Sequence, residues 1–98
     1  MTRELPKPGE IWRHFKGNYY IIFAIGHHSE TREKLVVYRV LTSDEREVLR
    51  ATGGLFESVP VGEPCIRPLS MFMGLTPRGR YPDADQQYRF EKVDYERI

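Results

Sequence analysis

Residues 12–38 read WRHFKGNYYIIFAIGHHSETREKLVVY, and this stretch decides the fold. Arg13-His14-Phe15-Lys16-Gly17-Asn18 is a polar opening that ends in turn chemistry. Gly17-Asn18 between two strand-like runs signals a hairpin. The apolar run from Tyr19 to Ile25 follows. Strand alternation sets Tyr19, Ile21, Phe23 and Ile25 on one face and Tyr20, Ile22 and Ala24 on the other. Both faces are apolar, so the strand is expected to be covered on both sides or to lie centrally in a small barrel. Gly26 is the expected position of any bend. His27 to Arg32 is a loop, and Glu33 to Leu41 is the next strand, with Arg39 its one charge.

Working outward, residues 1–9 form an extended arm, because Pro6, Pro8 and Gly9 disfavour regular structure. Glu10 to Phe15 is the first strand. Ile11, Arg13 and Phe15 share one face, and Trp12, His14 and Lys16 share the other. Thr42 to Glu57 admits two structures. Thr42-x-x-Glu45 fits a helix capping box. Apolar and β-branched residues at similar distances on either side of Gly53-Gly54 favour a hairpin of Glu47–Thr52 and Leu55–Val59, which is the expectation adopted. Cys65 to Arg67 is a short strand stopped by Pro68. Leu69 to Met73 forms one helical turn, with Met71 and Phe72 facing the core. Residues 76–86 hold two prolines and read as a mobile loop. Gln87 to Val93 is the last strand, and residues 94–98 are expected to fray. Five or six short strands in 98 residues predict a single domain that is mainly β, a small antiparallel open barrel of SH3-like type with one short helical turn.

Composition narrows the function. Fifteen basic residues face 14 acidic ones, a balance that gives no support for a dedicated duplex-DNA binder. No run approaches the ~20 apolar residues of a membrane span, and the first ten residues lack a secretory core. The lone Cys65 excludes an intramolecular disulfide and a cysteine zinc cluster. The expected setting is the cytoplasm. His27, His28 and Glu30 lack the helical i, i+4 spacing of zinc peptidases, so neither a metal nor another cofactor is expected.

Several blocks resemble a known family. Arg13-His14-Phe15-Lys16-Gly17, Tyr20, His28-Ser29-Glu30-Thr31, Glu33, Val37-Tyr38, Arg67-Pro68-Leu69-Ser70-Met71-Phe72 and Arg89-Phe90 resemble, in order, a small bacterial and phage family catalogued as domain of unknown function 1653. The likeness spans about 80 residues. Relative to the family pattern, 42–63 is an insertion, and Cys65 and Ile66 stand where an aromatic is usual. The resemblance supplies no activity. Its phage setting implies that a compact binder of this type could sequester a nucleotide signal of host defence.

The candidate ligand-binding residues are Arg13, His14, Lys16, Tyr20, His28, Ser29, Glu30, Thr31 and Arg67. Arg13, His14, Lys16 and Arg67 carry donors for phosphate or carboxylate. The His28–Thr31 loop offers an imidazole, two hydroxyls and a carboxylate that could ring a polar ligand. Its simpler reading is a self-capped turn. The expectation is a non-catalytic domain for a small anionic, nucleotide-like ligand, with a homo-oligomer as a natural assembly. The alternatives are an RNA-binding or protein-adaptor module, and a hydrolase using His28 and Ser29. The expectation requires the segments around residues 13, 28 and 67 to meet in one cavity.

Overall fold

The computed structural model describes residues 3–52, 63–94 and 98. Among these residues the elements run β1 (Ile11–His14), β2 (Tyr19–His27), β3 (Lys34–Val40), α1 (Ser43–Thr52), β4 (Cys65–Pro68), α2 (Leu69–Phe72) and β5 (Phe90–Val93). The five strands form one antiparallel sheet in the order β4-β3-β2-β1-β5, which leaves it open at β4 and β5. The mainly β, antiparallel expectation holds. No described helix is long and apolar enough to cross a membrane.

The β1–β2 turn falls where Gly17-Asn18 predicts it. His14 N–H donates to the Asn18 carbonyl at 2.8 Å, and Gly17 takes φ +108°, which a side chain would oppose. In β2 the alternation breaks earlier than Gly26. Ile22 pairs with Tyr38 but Ala24 pairs with Val37, so one extra residue is inserted at Phe23. This bulge moves Ile25 onto the face of Tyr20 and Ile22, correcting its placement beside Tyr19 and Ile21. A strand with two apolar faces can change phase in this way without exposing its large side chains.

Each face of the sheet carries a core. On one face Trp12, Ile22, Val36, Tyr38, Phe72 and Phe90 are buried, flanked by Tyr20, Ile25, Leu69 and Met73. On the other, Ile11 and Ile21 meet Leu41, Leu49 of α1 and Ile98. Burial of Ile98 contrasts with the expected fraying of the terminus. Phe72 is the anchor of α2, whereas Met71, expected beside it in the core, is 48% exposed. A four-residue helix has room for few inward positions; Leu69 and Phe72 take them, and Met73 at the C-cap packs beside them.

The first strand of the expected hairpin, Glu47–Thr52, is instead part of α1 across 43–52. Residues 55–59, its expected second strand, lie outside the described residues. The helix wins through its cap. Glu45 N–H donates to Thr42 Oγ1 at 3.2 Å, and Thr42 N–H donates to Glu45 Oε1 at 3.0 Å. Asp44 and Glu45 in the first turn and Arg50 in the last also suit the helix dipole. Arg39, 4% exposed, then clamps α1 to β3 through both carboxylate oxygens of Glu45.

The loop over 76–86 is bonded along its length rather than loose. Thr76 Oγ1 donates to the Gln86 carbonyl at 2.8 Å, and Arg78 Nη1 donates to the Ala84 carbonyl at 2.9 Å. The N-terminal arm is strapped down as well. Arg3 donates to the Met73 and Phe90 carbonyls at 2.9 and 2.6 Å and stacks over Tyr88 at 3.6 Å. The Arg89 carbonyl accepts from the N–H of Phe15, just past β1, so the Phe90 carbonyl faces the outer edge of β5, where Arg3 covers it.

Candidate functional site

The sheet is curled. β3 and β5 are separated by two strands, so in a flat sheet they would stand about 14 Å apart. The Tyr38 and Phe90 ring centroids are nevertheless 5.5 Å apart, and Tyr20 is 5.3 Å from Tyr38 and 5.7 Å from Phe90. Inward-leaning rings on a concave face close that gap, and they draw the strand ends together.

His14, the last residue of β1, lies on this face. Its ring centroid is 4.9 Å from Phe90, 4.4 Å from Phe15 and 6.4 Å from Tyr20. Its Nδ1 accepts from the Lys16 backbone N–H at 3.1 Å, which assigns the imidazole hydrogen to Nε2. Arg67 of β4 shares the site. It stands opposite Val36, and its guanidinium lies 5.8 Å from the Phe90 ring centroid. Burial, then the charges of Arg67, Lys16 and Arg89, push His14 down to about 4. Burial pushes the Tyr38 phenol up, with Arg67 partly offsetting it. His14 is therefore neutral at physiological pH, surrounded by cations.

Those cations have no carboxylate partner among the described residues. Among the described residues the ion pairs join Arg13 to Asp85, His28 to Glu30, Arg39 to Glu45, and Lys92 to Glu4 and Glu10. Lys16 instead lies 5.1 Å over the Tyr81 ring and lowers that phenol by a hydrogen bond and its charge. Arg89 Nε donates to the Leu75 carbonyl at 3.2 Å. Beside His14 an open hollow of about 310 Å³ is lined by Phe15, Lys16, Arg80, Tyr81 and Asp83. The Phe15 and Tyr81 rings meet there at 5.0 Å.

The expected three-way convergence is therefore half realised. His14, Lys16, Tyr20 and Arg67 come together. Arg13 points to the opposite face, as alternation dictates. Its Nη1 donates to Gln86 Oε1, and Gln86 Nε2 returns a bond to the Arg13 carbonyl at 3.1 Å, a reciprocal pair that pins the 76–86 loop. His28, Ser29, Glu30 and Thr31 project past the His27–Lys34 register pair at the β2–β3 tip. Their bonds close within that tip. His28 Nδ1 accepts from the N–H groups of Glu30 and Thr31 at 3.1 and 3.2 Å, and Thr31 Oγ1 accepts from Glu33 N–H at 3.3 Å. The Ser29 hydroxyl donates to Glu30 rather than to His28, so the base–nucleophile contact of a hydrolase is not formed. Among the described residues no three His, Cys, Asp or Glu side chains group to hold a metal.

Tyr38, Phe90, Arg89 and Tyr81 complete the patch and were not among the sequence candidates. Tyr38 and Arg89-Phe90 did carry a signal, since both belong to the blocks shared with the resembling family. Tyr81 carried none. The model of a family described as protein of unknown function (DUF1653) matches residues 10–92, a span containing every residue of the patch. No curated protein and no solved structure matches the chain.

Proposed function

We propose that this chain, which belongs to the DUF1653 family of proteins of unknown function, is a non-catalytic binding domain for a small anionic, nucleotide-like ligand held at the concave patch around His14. One observation carries the reading: Lys16, Arg67 and Arg89 bear on a neutral histidine beside stacked aromatic rings, with no ion-paired carboxylate among the described residues. Gathered cations repel one another, and an anion relieves the repulsion. Arg67 supplies a planar fork for phosphate, and Lys16 a mobile point charge. Tyr20 and the Phe15–Tyr81 pair offer faces against which a base can stack.

Catalysis is disfavoured on chemical grounds. A general base works best with a pKa near the operating pH, and an imidazole near 4 is too weak a base at neutrality. Capture without turnover is what a domain that sequesters a nucleotide signal requires.

Calorimetric titration with a panel of mononucleotides tests the reading. At least one is expected to bind and to be recovered chemically unchanged. Arg67→Gln is expected to weaken it at least tenfold, about 1.4 kcal/mol or more, with little change in melting temperature. A panel in which nothing binds contradicts the reading. Binding of single-stranded RNA that collapses steeply with added salt would replace the small ligand with a phosphate-tracking surface.

A further inference from the structure

Resting on the nucleotide site proposed above, we infer that the base it takes is guanine, read by Asp83 and Arg80 in the hollow beside His14. The hollow opens directly off the proposed patch, because Phe15 and Lys16 follow His14 in the chain and the His14 and Phe15 rings lie 4.4 Å apart. Phe15, Lys16, Arg80, Tyr81 and Asp83 line one space of about 310 Å³, near the lower end of the range for small-ligand sites.

The loop that carries Arg80, Tyr81 and Asp83 is tied down without their charged groups. The Arg80 and Tyr81 N–H groups both donate to the Pro77 carbonyl, at 3.1 and 3.0 Å, and the Ala84 N–H donates to the Tyr81 carbonyl at 3.2 Å. Arg78 and the Arg13–Gln86 pair hold the far end. Tyr81 itself is fixed between the Phe15 ring at 5.0 Å and the Lys16 ammonium at 5.1 Å. Among the described residues the Arg80 and Asp83 side chains enter no ion pair. A held loop thus sets a donor fork and a pair of acceptor oxygens on the wall of an aromatic hollow.

That mixture selects its occupant. A simple anion would meet Asp83 as a repulsion, and a simple cation would meet Lys16 and Arg80 in the same way. A neutral ring with donors on one edge and acceptors on another suits both groups and packs on the rings. Guanine is the one ribonucleotide base with two adjacent donors, N1–H and the N2 amine, and two adjacent acceptors, O6 and N7. The donors match the two oxygens of a carboxylate, and the acceptors match a guanidinium fork. Adenine sets the acceptor N1 next to its amine, so a carboxylate there gains one bond and one repulsion.

The 5′-monophosphates of guanosine, adenosine, cytidine, uridine and xanthosine are titrated calorimetrically against the whole chain and against Asp83→Asn. Asp83 is exposed, so the variant is expected to keep the wild-type melting temperature. In the wild type the guanosine nucleotide is expected to bind about tenfold or more tightly than the adenosine, cytidine and uridine ones. In Asp83→Asn that preference is expected to vanish. The xanthosine nucleotide is expected to gain about tenfold, because xanthine replaces the N2 amine by a carbonyl that accepts from the introduced amide. Equal affinities, a preference for another base, or a guanosine preference that survives Asp83→Asn overturns the inference while the nucleotide site stands. If no nucleotide binds, both fall.

Discussion

His14 concentrates the chemistry of this protein in one imidazole. Held at about 4 against an ordinary 6.5, it stays neutral in the fold where the unfolded chain would already take a proton. Between pH 6.5 and 4 the unfolded state therefore binds more protons, so stability falls as the solution is acidified through that window. The effect is on the order of 2 kcal/mol once partial exposure is allowed for. Glu10 acts lower on the scale. Burial pushes it up, but the Lys7 N–H, the Trp12 indole and Lys92 outweigh that and hold it below 4.5, so its contribution disappears only under stronger acid. Urea melts from pH 7 to 4 are expected to show declining stability in the wild type and a much flatter profile in His14→Gln. Identical slopes in both proteins would place the acid sensitivity elsewhere. The sequence singled out His14 and Arg67 as donors at strand ends, and the fold sets both beside the Phe90 ring. Alternation set Arg13 on the other face from His14, but not which of the two would face the site, since a strand with two buried faces offers polar side chains two inner surfaces.

Among the elements, α1 shows where local pattern and local bonding diverge. The residues around Gly53-Gly54 resemble two strands, yet Thr42 and Glu45 satisfy two backbone donors reciprocally and start a helix. The deciding partner, Arg39, stands six residues before Glu45 and was visible only as a lone charge in an apolar strand. Its burial makes sense once the Glu45 carboxylate is brought to it. Glu45→Ala removes the cap and the counter-charge together. A loss of about 2–4 kcal/mol in denaturant unfolding is expected. Thr42→Ala, which removes only the side-chain cap, is expected to cost about 1 kcal/mol. Equal costs for the two would mean that the Arg39 pair contributes nothing. The bulge at Phe23 was hidden for a related reason: alternation identifies a strand but not a residue at which two apolar faces exchange.

The whole molecule gathers what the chain keeps apart. His14 ends β1, Arg67 lies on the edge strand β4 and Phe90 opens β5 at the opposite edge, and they meet because the sheet curls around Tyr20, Tyr38 and the Phe72–Phe90 stack at 4.1 Å. Strand order and hairpins follow from turns and short-range pattern. The curl follows from packing between residues far apart in sequence, which no local reading contains. The same curl leaves the His28–Thr31 tip beyond the sheet, closed on itself. Binding at the curled face requires that it receive an anion. His14 reports this most directly, because an anion brought among Lys16, Arg67 and Arg89 must favour the imidazolium. Its titration is followed by NMR in the free protein and in the presence of saturating 5′-AMP. A free value near 4 is expected, rising by more than about one unit with the nucleotide. A free value near the ordinary 6.5, or a titration that 5′-AMP leaves unmoved, would contradict it.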